Sequence, residues 1–315
     1  MLPEPPIFKE TYVVGVGEVE FLDGPTEKLW KQWNDQIAIE AWSGDDVSMR
    51  TLTPILPTTR CVFARRKDTG DYLGAVTWNE YDGYTFIGGV GRVLWDRATD
   101  RWPAGQPHIL RAVAEMEPYY RRRNGMIGEQ NLIMYMDHWR KFCDYLEPEA
   151  FYYLDTTLVS ELNPKQFQKL LDFDKYMTGR DRSEFLRLHF GLEKTEGAVV
   201  FGDDGNIWGM ASVGPTDRPD DHRWKISPIY AETLPAAASL AIRMEKNWAG
   251  SQDDHAHVLV QILDLTRGDF ELGPVLAKHV KPHKVGVTLY NRNYYNPIRL
   301  HNLYVPHNNS GHFDA

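Results

Sequence analysis

Apolar residues recur along the chain at two different spacings, and these spacings predict its secondary structure. In residues 27–42 the apolar positions follow a helical period, with charged residues on the opposite face. Residues 128–146 carry the strongest helical pattern, in which the apolar residues step by four and three positions: Leu132, Met136, Trp139, Cys143 and Leu146. Each of these patterns predicts a helix with one buried face.

Stretches rich in β-branched and aromatic residues, bounded by turn residues, predict strands in both halves of the chain. In the first half the predicted strands cover residues 60–67, 71–81, 84–95 and 151–158, and the pair Asn163-Pro164 predicts the start of a short helix, 163–171. The strands predicted in the second half cover residues 197–201, 206–214, 224–230, 257–265 and 284–291. Its predicted helices cover residues 182–190, 235–248 and 270–279.

The two halves repeat one order of elements: a helix, a hairpin, a strand, a helix, a strand and a helix. The chain has 315 residues, and a typical domain has roughly 150. Duplication of a single fold explains both observations. The sequence therefore predicts an α/β (α+β) protein of two tandem domains, residues 1–175 and 176–315, each with a mixed, mostly antiparallel sheet flanked by helices.

Composition and charge argue against several classes of function. The formal net charge is −9, whereas a general nucleic-acid binder needs a basic surface. The chain has no run of 18 apolar residues and no signal-peptide pattern at its N-terminus, so neither a membrane span nor secretion is expected. Cys61 and Cys143 stand in apolar stretches, and no histidine spacing matches a zinc signature. We expect a cytoplasmic protein that holds no metal.

Two stretches of the sequence resemble the GNAT superfamily of acyl-CoA-dependent N-acetyltransferases. Residues 118–132, PYYRRRNGMIGEQNL, resemble the superfamily's loop for the coenzyme's pyrophosphate. Residues 173–190, followed by GAVVF, NIWGMASVGP and ISPIYAETLPAAASLAIRM, resemble the small C-terminal GNAT domain of some two-domain acetyltransferases. The resemblance implies tandem GNAT-like domains, acetyl-CoA as co-substrate and transfer of an acyl group to a small-molecule amine.

The glycines of the first stretch suit a phosphate site if the predicted helix 128–146 follows them. Glycines let backbone N–H groups approach the pyrophosphate closely, and a helix N-terminus adds its free N–H groups. The candidate coenzyme-binding residues are Arg121, Arg122, Arg123, Asn124, Gly125, Met126, Ile127 and Gly128. A solvated, charged loop is the alternative explanation. Two other glycine runs, Gly15-Val16-Gly17 and Gly88-Gly89-Val90-Gly91, lack the spacing of a dinucleotide site and predict a turn and a strand bulge or a close backbone approach.

The resemblance also implies a base for the amine proton and an acid for the leaving thiolate. Glu115, just before the glycine loop, is the candidate base, and a surface glutamate is the alternative interpretation. The family often has a tyrosine in the helix after its fifth strand, but Phe167 and Gln168 stand near the corresponding place here. A catalytically degenerate, GNAT-derived binding or scaffold protein is therefore the alternative function.

The second half has no Arg-x-x-Gly-x-Gly loop, because ISPIYAETLPAAA runs directly from strand to helix. We therefore expect the coenzyme in the first half and the amine acceptor in the cleft between the halves. The candidate acceptor-binding residues are Asp181, Arg182 and Tyr230. Alternatively, Asp181 and Arg182 cap the helix 182–190, and Tyr230 is a core residue.

Overall fold

In the computed structural model of the chain, the described residues include fourteen strands that form one continuous sheet. The structure describes residues 4–39, 51–52, 56, 59–90, 94, 101–150, 155–216, 222–247 and 255–307. The strands of the first half are β1 Ile7–Val13, β2 Gly17–Leu22, β3 Thr59–Arg66, β4 Tyr72–Tyr81, β5 Tyr84–Val90, β6 His108–Ala112 and β7 Ile127–His138. The strands of the second half are β8 Asp155–Leu158, β9 Glu196–Phe201, β10 Ile207–Pro215, β11 Arg223–Ala231, β12 His257–Leu263, β13 His283–Tyr290 and β14 Leu303–Val305. The prediction places residues 151–158 in the first half, but β8 pairs with β9 and is therefore counted in the second half.

Helices cover both faces of this sheet. They are α1 Glu27–Ile39, α2 Glu117–Asn124, α3 Trp139–Leu146, α4 Pro164–Thr178, α5 Ser183–His189, α6 Leu234–Asn247 and α7 Gly273–Ala277. Buried side chains of α2, α3, α6 and α7 pack on one face, which we call the first face. Those of α1, α4 and α5 pack on the opposite side, the second face.

The two halves exchange a strand in the middle of the sheet. The spatial order is β1-β2-β3-β4-β5-β6-β13-β7-β12-β11-β10-β9-β8, with β14 beside β11. β13 of the second half lies between β6 and β7 of the first half and pairs antiparallel with both. β7 in turn pairs with β12, from Leu132 opposite Leu263 to His138 opposite His257. Each half therefore completes its part of the sheet with a strand from the other half.

The predicted α/β class is confirmed. The order of elements predicted for the first half differs from the observed one, because residues 127–138 form a strand and β8 pairs with β9 of the second half. Each half contains one parallel pair, β5–β6 in the first and β11–β12 in the second, within a sheet whose other pairs are antiparallel. Both predicted hairpins form, as β3–β4 and as β9–β10. Among the described residues, no helix is both long and apolar enough to cross a membrane.

The predicted helix over residues 128–146 is wrong in its first two thirds. Residues 127–138 form β7, and only Trp139–Leu146 is helical, as α3. β7 lies in the centre of the sheet with both of its edges paired, and its run Leu-Ile-Met-Tyr-Met is apolar on both faces of the strand. Such a run has no clear period of two and can be mistaken for a helix.

The predicted short helix at 163–171 is longer than expected and extends to Thr178. The side chain of Asn163 caps its first turn by accepting hydrogen bonds from the N–H groups of Lys165 and Gln166, and Gly179 ends it in the left-handed conformation, with φ of 68°. α4 thus runs across the predicted domain boundary between residues 175 and 176. Its buried residues pack with those of β9 and β10 in the second half.

The strand exchange predicts that the first half does not fold alone. A fragment of residues 1–150 would lack β13, which would leave both β6 and β7 with an unpaired edge in the middle of the sheet. We expect this fragment to show no cooperative thermal unfolding transition by circular dichroism, and co-expression with residues 151–315 should restore one. A cooperative transition of residues 1–150 by themselves would contradict the exchange.

Candidate functional site

The parallel strands β5 and β6 diverge after a short paired stretch. Their pairing begins with Thr85 opposite His108 and ends with Ile87 opposite Leu110, although β5 continues to Val90 and β6 to Ala112. On its other side, β5 places Ile87 opposite Trp78 and Val90 opposite Val76, so three steps along β5 match two along β4. The extra residue is the bulge predicted at Gly88-Gly89, and it lies directly at the point of divergence.

The second half contains the equivalent arrangement in β11 and β12. Their parallel pairing runs from Arg223 opposite His257 to Lys225 opposite Leu259, and β11 has one extra residue relative to β10 between Ile226 and Ile229. Here, however, the diverging part is filled. β14 pairs antiparallel with β11 at Ile229 and Tyr230, and its residues Leu303, Tyr304 and Val305 are fully buried.

Several close contacts hold β14 in this cleft. The N–H group of Ala231 donates a hydrogen bond to the carbonyl of Asn302 at 2.9 Å, and the side chain of Asn302 donates one back to the carbonyl of Ala231 at 3.2 Å. A Cβ atom at Gly268 would lie 2.0 Å from the carbonyl oxygen of Tyr304, so only glycine allows β14 to pack this closely. β14 is therefore part of the core of the second half.

A pair of tyrosines on α2 follows β6 directly and was missed by the sequence analysis. Tyr119 and Tyr120 lie 5.7 Å apart between ring centroids and pack in the first-face core beside the diverging strands. Burial, with Tyr119 close by, raises the pKa of Tyr120 to about 12, so its hydroxyl stays protonated at neutral pH. The signal was present as Tyr119-Tyr120 behind the short apolar stretch 108–112, but this stretch was not predicted as a strand, so the tyrosine was expected in the predicted helix 163–171.

The candidate base, Glu115, lies in the turn between β6 and α2, where its side chain is exposed. It follows the end of β6 that diverges from β5. The structure therefore places this carboxylate and the tyrosine pair on the same short connection, within six residues of one another in the sequence.

The predicted phosphate loop does not have the geometry on which that prediction rested. Its glycines connect the C-terminus of α2 to a strand, so no helix N-terminus follows them. Gly125 is the C-cap of α2, with φ of 62°, and Gly128 has φ of 110° and packs against the ring of Tyr290, where a Cβ would lie 2.5 Å from a ring carbon.

The remaining residues of this segment have structural contacts or are exposed. Arg121 donates hydrogen bonds to Glu117 at 2.9 Å and to the carbonyl of Gly128 at 2.5 Å. Arg122 and Ile127 are exposed, Asn124 is half-buried and Met126 is a core residue, while the side chain of Arg123 lies outside the described residues. Binding of coenzyme by residues 121–128 remains a prediction without its geometric support.

The candidate acceptor residues are not brought together as a group. Arg182 is buried and forms a bidentate ion pair with the fully buried Asp174, not with Asp181. Asp181 is exposed, and hydrogen bonds from Ser183 together with the charge of Lys175 hold its pKa below the usual range. Tyr230 is a core residue whose ring centroid lies 5.9 Å from the guanidinium carbon of Arg182.

An aromatic cluster occupies the second face beside the point where β5 and β6 diverge. Its buried members are Tyr84, Phe86 and Ile109, and Tyr81, Tyr290 and Tyr294 pack around them. Two arginines lie over its rings. The guanidinium of Arg180 is 4.1 Å from the ring centroid of Tyr81, and that of Arg111 is 5.8 Å from the ring centroid of Phe86.

Neither metal nor thiol chemistry finds support in the part of the chain that the structure describes. Within it, no group of three or more histidine, cysteine, aspartate or glutamate side chains could hold a metal ion. Burial, with the charge of Asp23, raises the pKa of the Cys61 thiol to about 12, which disfavours a nucleophilic thiolate. Both cysteines are free.

Comparison with known proteins identifies the fold. No family model matches the chain. Its fold is similar to that of a provisionally assigned acetyltransferase from Pyrococcus horikoshii, with a TM-score of 0.63, 14% identity, and coverage of 94% of this chain and 95% of that one. It is also similar to a tandem GNAT protein from the clavulanic acid biosynthesis pathway, with a TM-score of 0.62, 12% identity, and coverage of 86% and 98%.

With the diverging parallel strands in each half, these likenesses show that the chain has the fold of tandem GNAT acetyltransferases. The chain belongs to the same family as the Caenorhabditis elegans protein F36G3.2, which is described as uncharacterised. The two sequences are 33% identical over 305 residues, which are 92% of this chain and 96% of its relative.

The ion pair of Asp174 predicts a large loss of stability on substitution. Asp174→Ala would leave the charge of Arg182 buried without its carboxylate, and we expect the free energy of unfolding to fall by about 3–5 kcal/mol in a denaturant titration. The matched control, Asp181→Ala, removes an exposed carboxylate and should change it by less than about 1 kcal/mol. Equal effects of the two substitutions would refute this assignment of the partners.

Proposed function

We propose that the chain is a cytoplasmic N-acyltransferase that transfers an acyl group from acetyl-CoA to a small-molecule amine. The observation that carries the proposal is the cleft of the first half, where β5 and β6 stop pairing after Ile87 and Leu110 while the bulge at Gly88-Gly89 interrupts β5. In a bulge the backbone does not continue its regular pairing, so its N–H groups can be directed to another acceptor. This combination suits an extended, amide-containing ligand and a thioester carbonyl.

The second half supports the proposal because its cleft is filled, whereas no strand within the described part of the chain fills that of the first half. Its cleft has the same parallel pair and the same extra residue, but β14 fills the diverging part. In the described residues, no strand fills the corresponding position beside β5 and β6. We therefore expect one coenzyme site in each chain, located in the first half.

The chemistry of this reaction needs two proton transfers. The amide N–C bond forms as the C–S bond of the thioester breaks, the amine gives up one proton, and the leaving sulfur takes up another. Glu115 is our candidate for the base, because it stands in the connection that leaves the diverging end of β6. The tyrosine pair on α2 is our candidate for the acid, because Tyr120 remains protonated up to a pH of about 12.

A titration with acetyl-CoA tests where the coenzyme binds and how many molecules each chain binds. We expect isothermal titration calorimetry to find one acetyl-CoA per chain, and acetyl-CoA should raise the melting temperature because it binds the folded state. Gly88→Val adds a branched side chain at the bulge of the first half and should weaken binding at least about tenfold. Ser227→Val, at the equivalent bulge of the second half, is the matched control and should leave the affinity unchanged.

No binding at millimolar acetyl-CoA would contradict the enzyme and favour the alternative of a degenerate GNAT-derived scaffold. Two molecules bound per chain would contradict the closure of the second cleft. Circular dichroism of each variant distinguishes lost binding from lost folding.

Removal of the hydroxyl groups of Tyr119 and Tyr120 tests whether this pair donates the proton to the leaving sulfur. In the variant Tyr119→Phe with Tyr120→Phe, release of free coenzyme thiol in the presence of a panel of primary amines should slow by about 100-fold or more, with KM for acetyl-CoA unchanged. Tyr176→Phe, an exposed tyrosine of α4, is the control and should keep the wild-type rate. The wild-type rate should also show no loss of the acid between pH 7 and about 10, because the pKa of Tyr120 is raised. An unchanged kcat in the double variant would rule out the pair as the proton donor.

A further inference from the structure

The side chain of Arg111 lies beside the proposed reaction centre. Arg111 follows Leu110, the last residue of β6 that pairs with β5, and it points to the second face together with Phe86 and Thr288. Its Nε donates a long hydrogen bond, 3.4 Å, to the hydroxyl of Thr288 on the neighbouring strand β13. A guanidinium thus stands next to the position at which the two strands separate.

A second guanidinium approaches the same cluster from the second half. Arg180 follows Gly179, the left-handed residue that ends α4, and lies over the rings of Tyr81 and Tyr84 at 4.1 and 5.1 Å. The turn packs closely on Pro297, since a Cβ at Gly179 would lie 2.5 Å from the side chain of Pro297. The two halves therefore meet here through an arginine of one and tyrosines of the other.

The side chains between the two arginines are aromatic. Tyr84 and Phe86 are buried and lie on the same side of β5, about 6.6 Å apart along the strand. Tyr294 packs against Tyr84 at 5.3 Å and against Tyr290 at 5.7 Å between ring centroids. Tyr290 and Tyr294 are half-buried, so their rings form an apolar floor over the buried pair, with positive charge at its rim.

This combination disfavours an acceptor with a further cationic group and favours an acceptor that carries a carboxylate. Tyrosine rings attract cations, but here the faces of Tyr81 and Tyr84 already hold the guanidinium of Arg180, and two neighbouring positive charges disfavour a further cationic group. A planar guanidinium matches a carboxylate, with which it can form two parallel charge-assisted hydrogen bonds. An apolar side chain of the acceptor would suit the aromatic floor.

From this geometry we propose that the acceptor amine also bears a carboxylate, as an α-amino acid with an apolar side chain does. Arg111 binds the carboxylate and so places the amine at the diverging strands, while Arg180 lies on the far rim of the cluster. The inference rests on the proposed acyltransferase function and specifies the substrate class of the same site. In this assignment Arg111 is a substrate-binding residue and takes no part in proton transfer.

Matched pairs of acceptors that differ by the carboxylate test the proposal. With acetyl-CoA as donor, acylation of phenylalanine and leucine is compared with that of 2-phenylethylamine and 3-methylbutylamine, and each rate is corrected for the fraction of neutral amine. We expect the wild-type protein to prefer the amino acids by at least about tenfold in kcat/KM. Arg111→Gln should raise KM for the amino acids and reduce the preference to within about threefold, with KM for acetyl-CoA unchanged.

Further variants separate a binding role from a structural one. Arg111→Lys keeps the positive charge but lacks the two parallel N–H donors of the guanidinium, and it should retain part of the preference for amino acids. Arg180→Gln should reduce the preference less than Arg111→Gln does, and Arg140→Gln, an exposed arginine on α3, should not change it. Acetyl-CoA affinity, measured by calorimetry for every variant, reports whether the first-half cleft is intact.

The outcomes distinguish this inference from the function on which it rests. If the wild-type protein binds acetyl-CoA and acylates amines with and without a carboxylate equally well, the proposed function holds and the substrate class is wrong. The same conclusion follows if Arg111→Gln keeps the full preference. If acetyl-CoA does not bind at all, the proposed function itself fails.

Discussion

The backbone hydrogen bonds between β7 and β13, in the middle of the sheet, are the interaction on which the rest of the structure depends. These strands come from different halves, and each is also bound to the other half's parallel pair, β13 to β6 and β7 to β12. An unpaired strand at the centre of a sheet would leave a row of N–H and C=O groups without partners, which is costly wherever water is excluded. The exchange therefore fixes both halves, and both clefts, relative to one another.

The two halves differ because of the short segment of chain that follows β13. After β13, the chain runs past the aromatic cluster, contacts the end of α4, and places β14 against β11 in the second half. The contacts of β14 with Ala231 and Gly268 make it part of the core, so the cleft it fills is stabilised in a closed form. The same segment carries Tyr294 to the first half's cluster. One connection thus closes the second cleft and builds the surroundings of the first.

Local patterns were sufficient to predict the α/β class, the two hairpins and the bulge at Gly88-Gly89, because each depends on neighbouring residues. β7 was mistaken for a helix because its pattern reflects partners more than a hundred residues away, β12 and β13. The same error displaced the expected tyrosine to residues 163–175, near Phe167 and Gln168. With β6 and α2 recognised as strand and helix, Tyr119 and Tyr120 stand where the family resemblance implies the acid.

The segment 121–128 shows why a motif needs its position in the fold before its chemistry can be assigned. Arginines and glycines favour a phosphate at a helix N-terminus, where free N–H groups carry partial positive charge. Here the arginines occupy the last turn of α2, whose carbonyl groups carry partial negative charge, and there cationic side chains stabilise the helix itself. Arg121, which donates to Glu117 and to the carbonyl of Gly128, fits that role. No sequence motif surrounds Arg111, and only the pairing of the strands shows that it lies beside the diverging strands.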